Sequence, residues 1–336
     1  MNGRTSAIAA LVGVSAFSAL PSAFYQDIAD ATGTPWSTAL LFSAHGAAAI
    51  VGMVLIAPRV SRPARILVGM LALDVAGGVL MAFAAPGSLG LLLAARVVCG
   101  LALGAATSIA TALLVRASGG AVVVTAGIFG GVGAGAIAAG LLAAAGAGAA
   151  LTLALGAGAL AVVAVICGLV PAAVDTSSPA SLTLASGGSA MSPVAPLGAF
   201  GANGVLALFT SLVPAQVARL VGGAGLVAGL TAGVAMLAAG LSRLALHRVR
   251  GVAAVALAAG AAVAGAAMFL GGLVLGDAFG AASAIAGGAI LGAAAGLVYD
   301  GALRGAGQRR RAIGVVQGAG QAGFVVPPLI ATAVIA

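Results

Sequence analysis

Apolar residues run through this chain in long stretches, broken at near-regular intervals by short clusters that contain Pro, Gly, Arg or Asp. Eleven stretches are long enough to cross a bilayer, at about 6–24, 37–57, 66–85, 89–114, 119–142, 149–170, 195–215, 221–242, 251–274, 279–299 and 312–335. A hydrocarbon core about 30 Å thick takes about 20 helical residues. Inside it every backbone N–H and C=O must be bonded within its own segment, so each stretch predicts one transmembrane α-helix. The widest break, 171–193, is rich in Ser and Pro. It reads as a cytoplasmic linker between a six-helix half, 1–170, and a five-helix half, 194–336.

Composition puts this pattern in a membrane. The chain is 62% hydrophobic and 6% charged, where an ordinary soluble domain carries about a quarter charged residues. Its 54 Gly and many Ala suit helices whose backbones approach closely without a hydrophobic drive between them. The net charge of +8 comes from fourteen Arg and six Asp, with no Lys and no Glu. The arginines fall singly or in threes between apolar runs instead of gathering on one face among aromatic residues, which argues against a nucleic-acid partner. Cys99 and Cys167 lie inside apolar runs, with neither disulfide nor metal-ligand spacing.

Charge also orients the chain. Counting eleven helices puts Arg4, Arg59, Arg62, Arg65, Arg116, Arg243, Arg248, Arg250, Arg304, Arg309, Arg310 and Arg311 on one side. Asp27, Asp30 and Asp277 fall on the other, with Arg219 as the lone basic exception. Basic residues in short loops stay cytoplasmic, so the N-terminus is expected inside and the C-terminus outside. Tyr25 and Trp36 are then expected at the outer interface and Tyr299 at the inner one. The two halves echo each other, with basic loops after the second and fourth helix of each, as repeat-built transporters do.

In this layout the fourth helix carries the most specific motif. Leu92-Leu93-Ala94-Ala95-Arg96-Val97-Val98-Cys99-Gly100, continuing to Gly104-Ala105-Ala106, resembles the Arg-then-Gly motif of the major facilitator superfamily, and Asp30 to Gly52 resembles its outer loop and second helix. The loop from Ala57 to Arg65 keeps that family's positive charge and lacks its Asp. The Gly-rich fifth helix, Gly127 to Gly140, is similar to the antiporter motif of drug exporters without its Pro. The resemblance implies an all-α membrane protein, a major-facilitator-type bundle of two pseudo-symmetric halves with a twelfth helix missing. Helices ten and eleven are expected to expose the face that a twelfth would cover.

Charged side chains at mid-bilayer cost about 2.5–3.5 kcal/mol each on insertion scales and are functional candidates by default. His45, Asp74 and Arg96 lie at similar depths in helices two, three and four. One reading makes Arg96 a cavity cation that binds an anionic group or tunes a protonatable partner, Asp74 or His45. The other makes Asp74 and Arg96 a structural ion pair. Gly100, Gly104, Thr107 and Thr111 follow Arg96 at helical spacing. Gln317, Gly320, Gln321 and Phe324 repeat the pattern in helix eleven, and Asn203 with Thr210 does so in helix seven. For helix eleven, substrate contact and helix-helix hydrogen bonding are both open. The run Gly130-Gly131-Val132-Gly133-Ala134-Gly135 follows no strand and reads as helix packing, not as a phosphate loop.

No catalytic constellation, cofactor or metal site can be assembled from these residues. The expectation is a multi-pass, monomeric secondary transporter in a bacterial inner membrane, with the bilayer, a small-molecule substrate and protons as its partners. Proton-coupled efflux of a small apolar compound comes first. Uptake of a metabolite and a non-transporting scaffold stay open.

Overall fold

The computed structural model describes residues 3–33, 36–57, 63–85, 87–115, 120–169, 193–221, 225–306 and 310–335. The linker 171–192, and with it the boundary between the two halves, lies outside the described residues, as do Arg59, Arg62, Arg116 and Arg309.

Among the described residues, eleven helices are long and apolar enough to cross a membrane. They are α1 (Gly3–Phe24), α2 (Ser37–Ile56), α3 (Pro63–Ala84), α4 (Leu89–Leu114), α5 (Gly120–Ala144), α6 (Ala149–Leu169), α7 (Val194–Ser211), α8 (Gly225–Ala245), α9 (Gly251–Leu275), α10 (Ala278–Ala306) and α11 (Ala312–Ile330). The chain is an all-α, multi-pass membrane protein. The face on which α1 begins collects Arg4, Arg65, Arg243, Arg248, Arg250 and Arg304 and is called the arginine face below. The opposite, aspartate face carries Asp27, Asp30 and Asp277.

Two boundaries differ from the sequence expectation. The seventh segment stops at Ser211, and a separate short helix, Val213–Val221, follows on the aspartate face. Pro214 is the reason, since it lacks an N–H and fits only the first turn of a new helix. Helix α10 runs past 299 to Ala306. Asp300 does not end it, because its carboxylate is neutralised inside the bundle by Arg243 at 2.9 Å and by Arg304, one turn on, at 2.7 Å. Tyr299 is consequently buried rather than interfacial, and so is Tyr25, at the start of the short helix Tyr25–Thr32. Trp36 remains half-exposed at the aspartate face.

The N-terminal half packs α1 to α6 around Phe17, Leu71, Leu92, Leu153 and Leu160. The halves meet along two seams of different character. On one, α5 and α8 touch backbone to backbone: a Cβ at Gly133 would lie 2.7 Å from the Leu237 nitrogen, and one at Gly229 would lie 2.6 Å from the Ala136 oxygen. On the other, α2 and α11 meet through side chains, with the ring centroids of Phe42 and Phe324 6.4 Å apart. Helix α2 carries a π-helical stretch at Gly52–Ile56, and α11 contains Pro327 and Pro328.

The uncovered face is not where the sequence reading puts it. Helix α10 is enclosed by α7, α8 and α9, and α11 lies on α7 and α2. Helix α9 is the bare one: it rests on α10, where Gly265 and Gly272 sit close to the α10 backbone, and Phe269 meets Phe209 of α7. Only 11% of its most apolar window is buried, against 33% in α3, the corresponding helix of the first half.

Candidate functional site: a central cavity between the halves

The helix ends at the arginine face close on one another. Ala7 and Leu11 of α1, Ala110 and Leu114 of α4, Val124 of α5, Leu303 and Ala306 of α10 and Ile313 and Val316 of α11 form one apolar cluster that spans both halves. Above it Phe129 of α5 packs edge-on against Tyr299 of α10, with centroids 5.0 Å apart at 71°. These two rings help line the lower part of a cavity that extends past Thr107, Gln317, Gln321 and Asn203 to Ser22 and Tyr25 at the aspartate end.

One polar bridge crosses the closure. Ser108 Oγ of α4 donates to Gln317 Oε1 of α11 at 2.8 Å, and Gln317 Nε2 donates to Thr111 Oγ1 at 2.8 Å. Both ends of the amide are thus engaged by hydroxyls of the other half. Of the two roles open for the helix eleven stripe, Gln317 fills the helix-helix one while its side chain still borders the cavity.

Higher up, Arg96 projects into the cavity and is 2% exposed. It donates from Nη2 to the Tyr25 hydroxyl and from Nη1 to the Ser18 carbonyl at 3.4 Å, and its guanidinium carbon stands 5.9 Å from the Tyr25 ring centroid. Its Nε has no partner. His45 lies beside it, with Nδ1 3.3 Å from the Arg96 carbonyl oxygen. A carbonyl only accepts, so Nδ1 carries the hydrogen and Nε2 holds the lone pair. That Nε2 is buried without a partner, as is Asn203 Oδ1.

Of the residues singled out from sequence, the structure brings Arg96, His45, Thr107, Asn203, Thr210, Gln317 and Gln321 to one cavity. Thr107 and Thr210 return their hydroxyls to backbone carbonyls of their own helices. Thr111 reaches the site through Gln317. Gly100 and Gly104 do not line the cavity: a Cβ at either would run into the α2 backbone at His45 or Ala49. Asp74 is buried in α3 away from the cavity, and Cys99 Sγ points to its carbonyl oxygen at 3.8 Å. No Arg96 nitrogen comes within 4.0 Å of its carboxylate, so the ion pair considered above does not form.

Sequence reasoning passed over Ser15, Ser18 and Ser22, although their spacing of three and four along α1 marks one helix face. It read Tyr25 as an interfacial ring and passed over Ser108.

No family model matches the chain, and no curated protein matches it. Solved structures do. One is a bacterial homolog of the human lysosomal transporter Spinster, in an inward-facing and occupied conformation. It aligns with a TM-score of 0.67 at 15% identity, over 97% of this chain and 80% of its own. The fold is that of the major facilitator superfamily. Within the facilitator fold, the cavity described here occupies the interface of the two halves, walled on one side by α5 and on another by α2 and α11.

Proposed function

We propose that the protein is a secondary transporter that works by alternating access, binding a small molecule in the central cavity. The observation that carries this reading is a cavity shared by both halves, sealed at one end by an apolar cluster and bordered by buried polar atoms without partners. Arg96 Nε, His45 Nε2 and Asn203 Oδ1 lack partners, and all three residues line that one space.

With the arginine face in the cytoplasm, the closure lies inside and the cavity is directed outward. The facilitator-fold neighbour is inward-facing, so the two arrangements are opposite stages of one cycle. The largely apolar wall, from Phe42, Phe129, Leu103 and Phe324, suits a largely apolar compound. Proton exchange is assigned to His45, whose Nε2 is a ring nitrogen with a lone pair and no partner beside the cavity. The direction proposed is export from a bacterial cytoplasm, across the inner membrane, by a monomer.

Purified protein in proteoliposomes, assayed over a compound panel with and without an imposed pH gradient, tests this. Gradient-driven accumulation that disappears in His45→Gln supports it. Transport indifferent to the gradient removes the proton assignment, and no transport of any compound by folded protein removes the transporter reading.

A further inference from the structure

We infer that the compound carried in this cavity bears an oxyanion, a carboxylate or phosphate group on an apolar body, and that Arg96 receives it. This rests on the transporter reading above and names the substrate class for the same site.

The chain contains its own control. Among the described residues two arginines are almost completely buried, Arg96 at 2% and Arg243 at 1% exposure. Arg243 has the carboxylate of Asp300 at 2.9 Å. Arg96, among the described residues, has no carboxylate within ion-pair distance, and its neutral contacts are one hydroxyl and one carbonyl. A guanidinium has five N–H donors in a planar fork. Two groups engage it, neither of them charged, and a charge held out of water without an opposite charge is costly. What is missing from this site is an anion.

The rest of the lining fits such a ligand and excludes its opposite. Among the described residues no carboxylate borders the cavity, so a cationic group would meet the positive charge of Arg96 in a low-dielectric space. A neutral compound would leave the guanidinium as it is. A carboxylate or phosphate matches the fork in two parallel hydrogen bonds. Tyr25 and the Ser18 carbonyl fix the plane of the fork, Ser15 Oγ is a further unpartnered group on the same wall, and Phe42 and Phe324 offer apolar surface for a body.

The test is equilibrium binding to the full chain in nanodiscs, with empty nanodiscs as blank, using radiolabelled decanoate displaced by decanoate, decyl phosphate, decanol or decylammonium. The two anions should displace at least about tenfold more tightly than decanol, the effect of a charge-assisted hydrogen-bond pair, and decylammonium should not compete. Arg96→Gln should bring the anions to the level of decanol, and Arg96→Lys should recover part of the difference. Tyr25→Phe, which keeps the ring and loses the hydroxyl that orients the fork, should weaken the anions several-fold and leave decanol unchanged.

Decylammonium or decanol binding as tightly as decanoate overturns the inference. So does unchanged anion affinity in monodisperse Arg96→Gln. If one of those two is also carried across proteoliposome membranes, the transporter reading stands and the oxyanion assignment alone falls. If folded protein binds none of the four probes and moves none, both fall together.

Discussion

Gln317 on α11 donates its side-chain N–H to the Thr111 hydroxyl on α4 at 2.8 Å, closing a contact between residues 206 positions apart. With Ser108 on the amide oxygen, this pair is the polar fastening in an otherwise apolar closure. Two buried hydrogen bonds contribute about 1–3 kcal/mol together. Gln317→Leu is therefore expected to shift the closed-to-open ratio at the arginine face by about tenfold toward open. A cysteine placed at Ala110, in a background with Cys99 and Cys167 changed to Ala, reports this as faster maleimide labelling from that face. Equal labelling rates with and without Gln317→Leu would show that the apolar cluster closes the face unaided.

Asp300 is the counter-charge of both Arg243 and Arg304. Asp300→Asn leaves the guanidinium of Arg243 buried and unpaired, which costs about 3–5 kcal/mol. Thermal unfolding in detergent should show a large fall in midpoint, and Arg243→Met on top of Asp300→Asn should recover most of it. A midpoint that does not move would mean that Arg243 swings out to water.

Gly104 carries the close approach of α4 to α2. A side chain there meets the backbone at Ala49, whereas one at Gly90, in the same helix, meets nothing within 4 Å. Gly104→Val should abolish monodisperse protein, since overpacking by this amount costs about 1–3 kcal/mol or more. Gly90→Val, at the first turn, should leave size-exclusion profiles unchanged. Equal behaviour of the two variants would refute the packing assigned to this helix pair.

The membrane orientation has its own check. A reporter active only in the cytoplasm should be silent when inserted at the turn near Gly146 and active when inserted near Arg248. The reverse result would turn the molecule over and with it the direction of the cavity.

Much of this architecture is legible in the chain because a membrane helix is specified by length and polarity alone. All eleven spans and their alternation follow from the bilayer ruler and from where the arginines sit. Positions within spans are legible only where burial is costly: Arg96, His45 and Asn203 draw notice as polar residues in apolar runs. Asp74 draws the same notice, yet it lies away from the cavity, because sequence gives depth in the membrane and not the direction a side chain faces. Tyr299 fails for a related reason. The apolar stretch ends at 299, and only the fold reveals that Asp300 is neutralised by Arg243, 57 positions earlier, so that the helix runs on. The small residues Gly100 and Gly104 carry no sign of whether a backbone or a ligand fills the space they leave.

Helix α9 shows how far the lipid takes part in the fold. With one flank on α10 and the side chains of Val252, Val255, Val263 and Val274 turned outward, it has little protein to hold it from behind. Its anchoring is set by the length and order of the surrounding acyl chains, and small-micelle detergents should release it before any other span. The stability of the second half is then a joint property of chain and bilayer, and the thickness of the host membrane becomes a physical variable of this protein as real as temperature.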